Sequence, residues 1–196
     1  MTWLLVSLIV AQAANLSGVT HTDPVPTEIA APVAAKVAPG GVRATANGTT
    51  ITFWWVNDLT GASWADVPEG TLVGAVKLDA DVKDIRGHVM KAGVYTLRYG
   101  LQPKNDDHFG VSPFRNFLLV SPAAVDTDPA AKDHDGTIEL SRQTLGGKHP
   151  AVWSIDPPGG KDAPLSVYTT DLGHKSLIVE VGKLKFGIVL IGRIRT

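Results

Sequence analysis

Cysteine is missing altogether from these 196 residues. Its absence excludes disulfides, thiolate nucleophiles and thiolate metal sites. It also excludes a lipid anchor of the lipoprotein type, which needs a cysteine. An exported chain without disulfides rests on its apolar core alone. That suits a bacterial periplasmic or secreted protein better than a disulfide-rich animal one.

Charge of one sign is missing too. The formal net charge is −1, and no basic block interleaves with aromatic residues. The electrostatic footprint of a nucleic-acid binder is therefore absent, and nucleic acid is not expected as a partner. Glutamate is scarce, at Glu28, Glu69, Glu139 and Glu180. A glycosidase built on two glutamates is hard to assemble from so few, although aspartates can supply such a pair. The chain has no H-E-x-x-H and no G-x-S-x-G. Gly146-Gly147-Lys148 and Gly159-Gly160-Lys161 lack the upstream glycine and the trailing Ser or Thr of a phosphate-binding loop, and read as turns. Beyond the N-terminus no run is apolar for the roughly 20 residues that a membrane span needs.

The N-terminus reads as a secretory signal. Trp3-Leu4-Leu5-Val6-Ser7-Leu8-Ile9-Val10 is a short apolar stretch, and Ala11-Gln12-Ala13 fits the small-x-small cleavage rule. No Lys or Arg precedes it, so the terminal amine has to supply the positive charge. The expected division is a signal peptide at 1–13, an extended arm at 14–40 and one domain at 41–196. The mature chain then has no transmembrane span and is periplasmic or secreted. Pro24, Pro26, Pro32 and Pro39 set the extended character of the arm.

From Gly41 the pattern is all-β. Segments 42–46 and 49–56 flank Asn47-Gly48, a strong signal for a two-residue hairpin. On the second segment Ile51, Phe53 and Trp55 share one face and Thr52 and Trp54 the other. Further strands are expected at 71–78, 84–90, 93–99, 114–120, 151–155, 165–169, 175–181 and 184–193. Lys91-Ala92-Gly93 is read as the turn of a second hairpin. Only 123–143 has helical or irregular character. About ten short strands punctuated by Gly and Pro predict an antiparallel β-sandwich, jelly-roll-like in character.

The segment 102–114 between two of these strands carries the candidate site. Asn105, Asp106, Asp107 and His108 sit together there, with the aromatic Phe109, and Arg115 follows. Two carboxylates, an amide and an imidazole suit a cation or sugar hydroxyls. A divalent metal held by Asp107 and His108 needs a second imidazole, from His88, His149 or His174. Without one, no cofactor is expected. Arg98 alternates with Tyr95, Leu97 and Tyr99. If those point inward, Arg98 points outward beside Arg86 or Arg115 as an anion site, unless it pairs with Asp84. At most one of Trp54 and Trp55 can face a core from one strand. The other stacks on a sugar or is covered by the arm. The Asp-rich 126–135 stretch lacks the spacing of an EF-hand and reads as a surface loop.

The runs AGVYTLRYGLQP and DHFGVSPFRNFLLVSPA resemble a group of secreted bacterial β-sandwich proteins of unknown function, of an Acidobacteria-type kind. The resemblance covers 41–196 and is most specific at 84–122. It implies a secreted β-sandwich and carries no activity. The function expected from the whole is a non-catalytic exported module that contacts a protein partner or an envelope polymer. The rival expectations are a metal-dependent enzyme using His108 and Asp107, and a carbohydrate-binding domain using Trp54 or Trp55.

Overall fold

The computed structural model describes residues 16–102, 114–160 and 163–192. The sequence-expected hairpin forms as read. β2 (Gly41–Ala46) and β3 (Thr49–Trp55) pair antiparallel with Val42 opposite Phe53 and Ala46 opposite Thr49. Asn47 and Gly48 turn with φ of 52° and 78°. Both values are left-handed, as the twist of a two-residue hairpin requires. β4 (Leu72–Leu78), β7 (Gly93–Leu101), β8 (Asn116–Pro122) and β9 (Ala151–Asp156) extend the sheet. β10 (Val167–Thr169), β11 (Lys175–Val181) and β12 (Leu184–Ile191) complete it.

With β1 (Ser17–His21) the strands form one ten-stranded sheet in the order β1-β2-β3-β4-β7-β8-β9-β12-β11-β10, antiparallel throughout. The all-β class holds. The strands belong to one sheet that curls until it is nearly barrel-shaped. Period-two alternation reports which face of a strand is buried, and it carries no information on whether strands share a sheet. The two ends come close: a Cβ placed on Gly18 of β1 would lie 2.6 Å from the Leu177 side chain of β11. Inside the curl Ile51, Phe53, Trp55, Leu118, Trp153 and Phe186 belong to one continuous apolar core. Phe53 stacks on Trp55 at 5.2 Å and meets Trp153 edge-on at 5.3 Å.

The outer face is apolar as well, and two segments cover it. The described part of the arm, residues 16–40, is docked on its own domain. It supplies edge strand β1 and then a one-turn helix, α1 (Ala31–Ala34). Ile29 and Val33 pack there on Leu72, Ala75 and Ala123. The second cover is the crossover from β8 to β9, which contains α2 (His134–Arg142). Its Ile138 packs on Phe117, Leu119 and Val152. Asp133 caps α2, accepting the Gly136 amide at 2.8 Å.

One expected strand does not form. Of residues 84–90 only Val89–Met90 forms a strand, β6, in a small separate ladder with β5 (Val82–Lys83). Asp84 breaks the run by accepting the amides of Arg86 and His88, both at 2.9 Å. Residues 91–93 consequently link strands of different sheets, and the second hairpin is absent.

If the arm is part of the fold, its buried contacts carry stability. Val33 is fully buried, so Val33→Ala is expected to lower the free energy of unfolding by about 2 kcal/mol. Denaturant unfolding measures this. An unchanged midpoint would show the arm to be a loose tether.

Candidate functional site

β7 and β8 are the stem of the candidate loop. They pair from Tyr95 opposite Pro122 to Leu101 opposite Asn116. The stem is clamped one residue further out. The Gln102 amide donates to the Arg115 carbonyl at 2.8 Å, and the Arg115 guanidinium donates back to the Gln102 carbonyl at 2.9 and 2.7 Å. Arg115 thus has a positioning role at the loop base. Asn105, Asp106, Asp107, His108 and Phe109 lie outside the described residues.

Beside the stem is a wall of aromatic and polar groups. Trp64 lies flat on Tyr99 at 4.9 Å and meets Phe186 at 5.1 Å. The Tyr99 hydroxyl donates to Asn116 Oδ1 at 2.7 Å. Burial pushes the Tyr99 phenol above its ordinary range, the Glu69 carboxylate adds to this, and Arg115 opposes it. Glu69 Oε1 accepts from the Leu101 amide at 3.0 Å and from His134 Nδ1 at 2.8 Å. Sequence spacing gave no sign of these pairings, since Glu69 and His134 are 65 residues apart.

Arg98 is not an exposed anion site. Its side chain does leave the face of Tyr95, Leu97 and Tyr99, but the crossover covers it completely. Nε and Nη2 bind the Asp126 carboxylate at 2.7 and 2.8 Å. Nη1 donates to the carbonyls of Gly70 and Ala130, and Nη2 to that of Asp128. All five N–H groups are used. Asp126 also accepts the Thr96 hydroxyl at 2.6 Å. Nor does Arg98 pair with Asp84, whose buried carboxylate belongs to Arg86 at 2.9 Å. The Asp-rich stretch was expected as a surface loop; its Asp126 is instead a buried counter-ion.

Trp54 and Trp55 are both buried, so of the two expectations for the tryptophan that leaves the core, cover by the arm holds in place of sugar stacking. Trp55 faces the core. Trp54 is covered by the arm: its Nε1 donates to the Asp23 carbonyl at 3.1 Å, and His21 lies edge-on at 5.2 Å. Both nitrogens of His21 are engaged. Nδ1 accepts the Asp23 amide at 3.1 Å, so Nε2 carries the proton given to the Phe53 carbonyl at 3.0 Å. Arg43 closes this junction on the Asp23 carboxylate.

A third polar group escaped the sequence reading. On the outer face of β9 and β11, Asp156 accepts the Ser176 hydroxyl at 2.7 Å and faces His174 Nδ1 at 3.2 Å. All three side chains are buried. The carboxylate stands between the hydroxyl and the imidazole, so the serine proton goes to Asp156 and His174 does not activate Ser176 as a nucleophile. Tyr168 lies over Gly187, where a Cβ would sit 2.2 Å from the phenol oxygen, and donates to the Pro157 carbonyl. Ser176 shares the outer face of β11 with Ile178 and Glu180, and nothing in that pattern announces a distant aspartate.

Among the described residues no three His, Asp or Glu side chains converge as a metal-ligand set. No described helix is long and apolar enough to cross a membrane.

Two outcomes follow from these networks. Arg98→Met leaves Asp126 buried without its partner and is expected to cost about 3–5 kcal/mol, with much of that recovered in Arg98→Met/Asp126→Leu. Equal stability of Arg98→Met and the native chain in denaturant would overturn the assignment. Burial, then the Asp156 carboxylate, push the Tyr168 phenol up to about 12 from an ordinary value of 10.0, against the Ser176 hydrogen bond. The folded state therefore keeps a proton that the unfolded chain loses near pH 10. Stability present below pH 10 declines as pH rises toward 12. Ultraviolet titration should show one phenol ionising near pH 12, absent in Tyr168→Phe; ionisation of every tyrosine near pH 10 in the folded chain contradicts it.

No family model, no curated protein and no solved structure was found to match this chain.

Proposed function

We propose that this chain is an exported, non-catalytic binding or assembly module that contacts a protein partner or an envelope polymer through the segment joining β7 and β8. The observation that carries the reading is the clamped stem. The connection of residues 102–115 joins the two strands at the centre of the sheet, and its base is fixed by three hydrogen bonds between Gln102 and Arg115. Long connections on rigid frames are where binding residues concentrate. The sequence places Asn105, Asp106, Asp107, His108 and Phe109 on this connection. Trp64, Glu69 and His134 flank its base.

The arm supports the same reading by exclusion. It is docked in cis over Trp54, so it is not free to act as the partner-binding tether. Export rests on the apolar N-terminal stretch with its Ala11-Gln12-Ala13 site and on the resemblance at 84–122.

Replacing 103–113 by Asn-Gly should leave thermal unfolding unchanged and abolish capture of one fixed partner, protein or polysaccharide, from the native envelope. Equal capture by both chains would overturn the reading. Turnover of a small substrate that needs a bound metal and is lost in His108→Ala would establish the enzyme instead.

A further inference from the structure

Of the three histidines that sequence reasoning offered as partners for His108, the structure brings two to each other. His174 is buried on Asp156. His88, in the turn between β5 and β6, and His149, just before β9, have ring centroids 5.6 Å apart and planes 18° apart. Both rings reach solvent; the His88 side chain is 41% exposed. Their backbones are tied together. Arg86 holds the fully buried Asp84 carboxylate and also donates to the carbonyl of Pro150, the residue after His149.

Asp84 Oδ2 faces His88 Nδ1 at 3.4 Å. A carboxylate only accepts, so it favours the tautomer with the proton on Nδ1 and a lone pair on Nε2. Carboxylate-oriented histidines of this kind are usual behind metal ions. We propose that His88 and His149 form a two-imidazole site for a borderline divalent transition-metal ion, with water filling the remaining positions. Metal–nitrogen bonds of about 2.1 Å at a tetrahedral angle place two imidazole centroids roughly 5 Å apart. The observed 5.6 Å is close to this, and the exposed His149 ring can turn about χ2, a broad torsion, toward His88 while Asp84 keeps the His88 ring in place. Imidazole ligands suit Cu²⁺ and Zn²⁺, with Cu²⁺ the tighter. Asp84 is committed to Arg86 and stays outside the coordination sphere, so this is a two-ligand site.

The test is calorimetric titration of the full-length chain with Zn²⁺ alone and Cu²⁺ alone, above the pH range where imidazoles titrate. One ion per chain is expected, Cu²⁺ tighter than Zn²⁺. Affinity should fall at least about tenfold in His88→Ala and in His149→Ala, since loss even of an outer-shell partner costs this much. Thermal unfolding of the metal-free variants should match the native chain, because both rings are at the surface. Affinity unchanged in both variants, lost in only one of them, or lost only in His108→Ala overturns the proposal, as does an absence of binding.

Discussion

The constraint behind this fold is a sheet that is apolar on both faces. Residues 51–55 of β3, 72–76 of β4 and 117–121 of β8 are buried without interruption. A half-solvated sheet would show alternating exposure. One face buries itself by curling, and Trp55, Trp153 and Phe186 fill the interior. The other face cannot do this and needs covers drawn from elsewhere in the chain. The arm supplies one and the β8–β9 crossover the other.

Each cover is fastened by a polar junction placed where apolar packing alone would let it slide. Arg98 reaches through the outer face and gathers Asp126 with the carbonyls of Gly70, Asp128 and Ala130. Asp23 does the same for the arm, through His21, Arg43 and Trp54. The Arg98–Asp126 pair, buried on both sides, adds little net stability against an apolar substitute, but breaking one partner is costly. Both junctions specify one placement among several that greasy contacts would permit. In these junctions Arg98, Trp54 and Asp126 serve the architecture, and the ligand surface is proposed at the β7–β8 connection.

Local chemistry was legible from the sequence. Asn47-Gly48 made the hairpin it announced, β11 has the bounds expected of it, and Ile51, Phe53 and Trp55 face the core. Non-local geometry was not. The side of the sheet that Arg98 leaves on follows from alternation, but whether a segment 28 residues later covers it does not. Asp84 has the look of a strand start, yet its carboxylate takes two amides and ends the ladder. The Asp156–Ser176–His174 group joins positions 18 and 20 residues apart that no motif links. Loop residues 105–109 were legible only as composition.

The central claim is that arm and crossover are integral covers of a two-faced sheet. Native-state hydrogen exchange tests it most directly. Peptides spanning 17–37 and 134–142 should exchange nearly as slowly as those of β7 and β8, because they open only with the sheet. Exchange of the arm at the rate of an unstructured chain, with β7 and β8 still protected, would contradict the account.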